Sequence, residues 1–324
     1  MRALVTGATG YVGGAILDHL VAAGVEVNAT VRSPEGAELV RSRGGRPVRA
    51  SLSEEMALIS AMEGNDVVFH AAGVNGFCLP DSREMFESNV AGSVGVIRAA
   101  LRAGVGKVIY TSSAVTIGEE AGEVGTEEVS HRGWFLSEYE QSKVEAERAV
   151  AIEAEDLGVN VVAVNPASVQ GPGRVTGTAR LLLAFLKGRL RWLPDTRATI
   201  VDVDDCARGH LLAADHGAKG ARYLLAGATL STAEMATLLG ESAGFSPRIR
   251  TLPSFVARGA GAIVGGGYRL AGRQAPICPE MIRTMLHGHA FDGSRAERDL
   301  GLEYTPVEET FDRMVAWYRE NGLL

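Results

Sequence analysis

Tyr139 and Lys143 stand four residues apart in Tyr139-Glu-Gln-Ser-Lys143. On a helix that spacing puts both side chains on one face, where their heads can meet at one ligand. A phenol with an unperturbed pKa of about 10 is a poor acid–base group at neutral pH, and a nearby ammonium favours the phenolate and moves the pKa toward the useful range. The pair reads as a proton donor beside its activating cation, with Lys143 also able to hold ribose hydroxyls; a Tyr and a Lys at this spacing also arise by chance. A second set of hydroxyls, Thr111-Ser112-Ser113, follows the apolar run Lys107–Tyr110. Hydroxyls at the carboxyl end of a central parallel strand face the crevice where open α/β sheets bind ligands. Ser113 is the first candidate to hydrogen-bond a substrate oxygen and Ser112 the second; the alternative is that both satisfy strand-end backbone.

Much earlier, Thr6-Gly-Ala-Thr-Gly-Tyr-Val-Gly13 follows an N-terminal apolar run. Gly7 permits a tight turn, Gly10 lets a pyrophosphate approach the backbone, and Gly13 lets the following helix pack on the strand. Thr9, Tyr11 and Val12 lie in the same turn, where free N–H groups at the helix start face phosphates. Together with the Tyr–Lys pair, this implies hydride exchange between a dinucleotide and a carbonyl or carbinol. After the second apolar run the chain has Arg32-Ser33, where an acid on the ribose hydroxyls would mark an NAD site. A guanidinium and a hydroxyl suit a 2′-phosphate, so NADP is the expected cofactor and NAD the alternative. The competing reading of Arg32 is a solvated surface arginine. Ala71-Ala72-Gly73 supplies small residues where backbone must run close to the cofactor, or plain helix packing.

These residues need a frame that brings them to one crevice. Apolar runs at Ala3–Thr6, Glu26–Val31, Arg46–Arg49, Asp66–His70, Lys107–Tyr110 and Val159–Val164 alternate with amphipathic stretches at Gly14–Ala23, Glu54–Met62, Glu84–Ala103 and Glu138–Leu157. That alternation predicts an α/β, Rossmann-type doubly wound parallel sheet with right-handed crossovers and a smaller C-terminal substrate-binding lobe. Residues 1–170 form the expected dinucleotide-binding domain, with 198–228 returning to its sheet, and 171–324 mainly the lobe. Val307, Phe311, Met314, Val315 and Tyr318 recur at helical intervals before a stop at Gly322.

The motifs in this order resemble the extended short-chain dehydrogenase/reductases: the glycine turn, Asp66-Val-Val-Phe-His-Ala-Ala-Gly73, Asn89-Val-x-Gly92, Tyr110-Thr-Ser-Ser113, Tyr139-x-x-x-Lys143 and Asn165-Pro-x-x-Val-x-Gly-Pro172. The likeness covers nearly the full length and is strongest to the dihydroflavonol-4-reductase-like group. It implies Ser113, Tyr139 and Lys143 as a catalytic triad and Asn89 as a support acting through backbone and water. It also implies Thr111, Pro166 and Ser168 along the cofactor, and a homodimer joined by the helices at Glu84–Ala103 and Glu138–Leu157. Where that group commonly carries Gly-Asp-Leu after the third strand, this chain has Ala50-Ser51-Leu52, so adenine recognition is either looser or relies on Ser51, with Leu52 beside it. A lysine typical of plant members just beyond the Arg32 position is absent.

The superfamily also contains nucleotide-sugar epimerases and dehydratases holding NAD tightly. These usually place an arginine shortly before the Val-x-Asp motif, here Thr199–Asp205, and the aligned position is Ala198 with Arg197 one residue off. Ala114-Val115 also replaces the acidic pair of dehydratases, so a carbonyl reductase acting on an aldehyde or ketone is expected. A non-catalytic dinucleotide-binding regulator would require damage at Ser113, Tyr139 or Lys143, and all three are intact. Phe77, Trp134, Phe135 and Trp192 lie in loops that could line an apolar pocket or pack in the core.

A net charge of −7 gives no field for a polyanion, so no nucleic-acid partner is expected. Cys78, Cys206 and Cys278 are far apart with no C-x-x-C spacing, which argues against a disulfide framework or zinc site and for a cytoplasmic protein. Phe255–Leu270 is apolar but is interrupted by Arg258 and Gly265–Gly267, short of the roughly 20 residues of a span; a lid or core helix, and no membrane partner, is the expectation. Asp202, Asp204 and Asp205 are read as helix-capping, so no metal is expected. His70 is read as a structural histidine, and His131 is unassigned.

Overall fold

The structure, a computed structural model, describes residues 1–246 and 249–324. The strands are β1 (Arg2–Thr6), β2 (Glu26–Val31), β3 (Arg46–Arg49), β4 (Val67–His70), β5 (Lys107–Thr111), β6 (Val161–Pro166), β7 (Ser168–Gln170), β8 (Trp192–Pro194), β9 (Arg197–Asp202), β10 (Arg222–Leu225), β11 (Ala228–Ser231) and β12 (Arg250–Leu252). Seven of them form one parallel sheet in the order β10-β6-β5-β4-β1-β2-β3. Successive side chains along a strand alternate between faces, so both faces need cover. Ala3 and Val5 of β1 join Ile16, Leu17, Leu20, Cys206, Ala207 and Leu300 on one side. Leu4 points the other way, with Leu58, Met62, Val96, Ile97 and Val150. The expected Rossmann-type fold is the fold observed.

The strand order reverses direction between β1 and β4, which opens a crevice at their carboxyl ends. The remainder of the chain builds on that end. β7, β9 and β11 make a second sheet, β8 and β12 pair by themselves, and the helix Val307–Glu320 buries Phe311, Met314 and Tyr318 against Phe185 and Leu239.

Four sequence expectations are corrected. The stretch 198–228 does not return to the main sheet as a whole: β10 does, whereas β9 pairs parallel with β7 and antiparallel with β11. The helix expected over Glu84–Ala103 is three pieces, with a π-helical turn at Glu87–Ala91 between Arg83–Phe86 and Gly92–Ala103. Cys78 and Cys278 are joined in a disulfide, with Cα atoms 5.7 Å apart and 200 residues between them in sequence. A pairing made by tertiary structure leaves no local spacing to read. Finally, of the two readings of the apolar stretch ending at Leu270, a lid or a core helix, the core one is overturned: the helix Ser254–Leu270 forms with its large apolar residues facing outward.

Candidate functional site

The glycine turn closes on itself and on the strand next door. Gly7 has φ +76°, and a Cβ there would lie 2.6 Å from the Ala72 nitrogen; one on Gly13 would lie 2.3 Å from the Gly7 carbonyl. No L side chain fits either place, so β1, the following helix and Ala71-Ala72 approach backbone to backbone. Ala72 N–H also donates to Thr6 Oγ1 at 3.2 Å. The helix Tyr11–Ala22 starts at Gly10 with no side-chain cap, which leaves its first N–H groups to a ligand. This is a cradle for a dinucleotide pyrophosphate. Gly73 lies against Asn89, and Thr9 against Gly36.

At the rim, Arg32 is exposed and makes no ion pair among the described residues. Ser33 caps the next helix, its Oγ accepting from Gly36 N–H at 3.2 Å. Ser51 bonds within its own turn, to Ser53 Oγ and through its N–H to Glu54, and Leu52 packs on Gly92.

The reacting groups collect where β5 ends. Ser113 is half-buried and acts on the Tyr139 phenol, lowering its pKa, whereas the Ser112 hydroxyl is buried without a partner. Ser137 caps the helix Glu138–Leu157, accepting from Glu140 N–H, and this fixes the start of the element that carries Tyr139 and Lys143. Burial pushes the Tyr139 phenol above its ordinary value, against the Ser113 hydrogen bond and the charge of Arg174, both of which lower it. Lys143 Nζ donates to the Thr111 carbonyl at 3.0 Å and sits 5.3 Å from the Tyr110 ring centre; burial pushes its pKa down to about 8. The Thr111 hydroxyl pairs with His210.

Three side chains support the site: Asn89, which the family resemblance implies, and Glu147 and Arg174, which the sequence reading does not single out. Asn89, on the π-helical turn, exchanges hydrogen bonds with the Val74 backbone (2.8 and 2.9 Å) and donates to Ser142 Oγ at 3.0 Å, which ties the loop after β4 to the Tyr–Lys helix. Glu147, one turn beyond Lys143, accepts from Thr116 and Asn165 and pairs with Arg222; Asn165 also donates to the Ser113 carbonyl. Arg174 lies 5.5 Å from the Tyr11 ring centre, directly after Gly171-Pro-Gly173. The i, i+4 continuation from Tyr139 through Lys143 was the available signal for Glu147.

Pro166 ends β6, and Ser168 on β7 accepts from Gln170 at 2.9 Å. Of the four loop aromatics, Phe77 reaches Tyr139, with ring centres 5.9 Å apart. Trp134 lies under Arg132, Phe135 beside His131, and Trp192 under Arg250. His70 is buried between Thr6 and Ser93, and its burial pushes the pKa down to about 3. Asp202 caps the helix Val203–His216, and Arg313 spans Asp202 and Asp204. Glu119 gathers His287 and His289, and His131 joins Arg132 at Glu140.

A parallel doubly wound sheet with a dinucleotide cradle at its switch point, and a Ser–Tyr–Lys set at the next strand, defines the class: a Rossmann-type enzyme of the extended short-chain dehydrogenase/reductases. The sequence profile of the NAD dependent epimerase/dehydratase family matches residues 3–226, and the chain belongs to that family. It is 31% identical over 335 residues to sterol demethylase protein B of Methylococcus capsulatus, with all of both chains covered. It is 30% identical over 309 residues to the 4-hydroxy-2-methyl-3-oxo-4-farnesyl-3,4-dihydroquinoline-1-oxide ketoreductase of Stigmatella aurantiaca, covering 93% of this chain and 91% of the relative. Among solved structures it is similar to gox2253, with a TM-score of 0.86 at 27% identity over 100% of this chain and 99% of that one.

Proposed function

We propose that the protein reduces an aldehyde or ketone to an alcohol, with NADP(H) preferred over NAD(H). The observation that carries this reading is the placement of Ser113 at the end of β5 against the helix that carries Tyr139 and Lys143, with Lys143 Nζ anchored on the Thr111 carbonyl, in the sheet that holds the glycine cradle. The residues fit a nicotinamide dinucleotide: Gly7 to Val12 for the pyrophosphate, Arg32 for a 2′-phosphate, Ser51 and Leu52 toward adenine, Lys143 for ribose hydroxyls, Pro166 and Ser168 toward the nicotinamide. When bound, that cofactor supplies the hydride.

Ser113 orients the carbonyl oxygen, and Tyr139 gives it a proton as negative charge develops there. A phenol above its usual pKa keeps that proton across the neutral range. Asn89, Glu147 and Asn165 hold the helix and the strand end at fixed separation, which is the positioning such a transfer needs. The arginine position tested for a sugar diphosphate speaks against the epimerase reading. Arg197 donates to the carbonyls of Gly288 (3.1 Å) and Glu123 (3.1 Å) and is already engaged.

The test is oxidation of NADPH and of NADH by the purified protein against aromatic aldehydes, hydroxyketones and steroid-like ketones, with nucleotide sugars assayed separately for epimerised product. Carbonyl-dependent oxidation with NADPH preferred is the expected result. Sugar conversion without net cofactor oxidation would overturn it. Tyr139→Phe should lower kcat by about 100-fold or more while cofactor affinity, measured by fluorescence titration, stays unchanged.

A further inference from the structure

The helix Ser254–Leu270 is amphipathic in the inverse sense. Its small residues face the protein: a Cβ on Gly261 would press on Ile282, and one on Gly265 on Cys278 and Pro279, so this side lies flat on the segment that carries the disulfide. Its large apolar residues face out, with Phe255 75% exposed, Ile263 78% and Leu270 92%. Five of the 16 exposed large apolar side chains among the described residues are on this helix. At 3.6 residues per turn, Phe255, Val256, Gly259, Ala262, Ile263, Gly266, Gly267 and Leu270 fill a sector of about 140° that contains no charge. Arg258 and Arg269 both fall along one edge of that sector.

The charge around this face departs from the rest of the molecule. Residues 251–279 contain Arg258, Arg269 and Arg273 and no Asp or Glu, in a chain whose net charge is −7. Two copies stacked on this face would set arginine against arginine with no acid between them. An anionic surface with an apolar interior complements both features, and a basic-edged helix with exposed Phe, Ile and Leu is the form that lies in a bilayer interface. No helix among the described residues is long and apolar enough to cross a membrane, so the helix would lie on it. A groove of about 340 Å³ beside the apolar sector, lined by Ile263, Val264, Gly267, Tyr268, Ala271 and Arg273, gives room for an acyl chain.

We propose that Ser254–Leu270 docks the protein on an anionic lipid bilayer, with Phe255, Ile263 and Leu270 in the acyl region and Arg258 and Arg269 at the headgroups. The docked face adjoins the substrate cleft: Gln274 donates to the Phe77 carbonyl at 2.9 Å, and Phe77 packs on Tyr139. This goes beyond the reductase reading and does not depend on it.

The experiment is flotation of the full chain with vesicles of phosphatidylcholine alone and of phosphatidylcholine with phosphatidylglycerol, alongside sedimentation of the lipid-free protein. Flotation with the anionic vesicles, weakened by salt, is expected. Ile263→Asp with Leu270→Asp should lower the bound fraction about tenfold while leaving the thermal melt unchanged. Arg258→Gln with Arg269→Gln should abolish the preference for anionic lipid. No flotation above the background of a soluble control protein would overturn the proposal. So would a lipid-free dimer that the Asp variants dissociate, since the face would then belong to a second copy.

Discussion

Tyr139 and Lys143 respond to burial in opposite senses, and a pH profile separates them. The Tyr139 phenol is held above its ordinary value and keeps its proton well past neutrality. The Lys143 ammonium, pushed down to about 8 by burial, loses its charge as pH rises through that value. kcat/KM for carbonyl reduction should therefore fall above pH 8, and Lys143→Met should remove that limb along with most of the activity. A wild-type profile that stays flat to about pH 10, the usual phenol range, would remove Lys143 from the site. Arg32→Ala should raise KM for NADPH by about tenfold or more, the loss of a charge-assisted contact, and leave NADH nearly unchanged; equal losses would undo the 2′-phosphate assignment. The placement of Ser113 at a strand end and of Tyr139 and Lys143 on one helix was legible because strand-end hydroxyls and i, i+4 pairs have fixed geometry. The partner of Lys143 was not, because the Thr111 carbonyl that takes its Nζ is set by how the helix lies across β5. Arg174 escaped for the same reason: a loop side chain finds Tyr11 and Tyr139 through tertiary placement.

Among the elements, the turn from β1 into its helix carries the most specific sequence signal, since two of its glycines face backbone closer than any side chain allows. Gly7 and Gly24 have nearly the same left-handed φ, +76° and +73°, but nothing lies within 4 Å of Gly24. Gly24→Ala should cost only the backbone conformation, about 1–2 kcal/mol. Gly7→Ala adds the collision with Ala72 and should cost more in thermal stability and abolish dinucleotide binding in a titration. Similar cofactor affinity in both variants would mean that the cradle is not where the cofactor sits. Strand alternation was read correctly for the main sheet because its central strands are apolar on both faces, as in buried Val67–His70. The break at Glu87–Ala91 was invisible: one inserted residue of π-turn leaves the apolar spacing of its flanks intact and is revealed by what Asn89 touches.

Over the whole molecule, the lobe is fastened to the Rossmann domain at several points. Glu280 accepts from Cys78 N–H at 2.6 Å and Glu138 N–H at 3.0 Å, next to the Cys78–Cys278 bond. Thiol titration of the oxidised, denatured chain should give one group, Cys206, and three after reduction. Reduction should lower stability by about 2–5 kcal/mol, read as a shift of the denaturation midpoint. Three thiols without reductant would show that the bond does not form. This long-range pairing, like the outward face of Ser254–Leu270, lay beyond the sequence reading because composition alone does not say which side of an apolar helix meets the protein.

The seventh strand of the sheet has a further consequence during synthesis. β10 pairs along the outer edge of β6, Arg222 reaching Ala163 and Leu225 reaching Pro166, yet the lobe's second sheet begins between them in the chain. Until Leu225 leaves the ribosome, the edge of β6 is an open row of N–H and C=O groups, the kind of template that recruits another chain. Arg222 also arrives only then, so until that point Glu147, hydrogen-bonded to Thr116 and Asn165, lacks its ion-pair partner. A fragment ending near residue 170 would keep every glycine of the cradle and six of the seven strands, yet with the edge of β6 left open it would be aggregation-prone, so the point where the motifs end is a poor place to cut the cofactor domain.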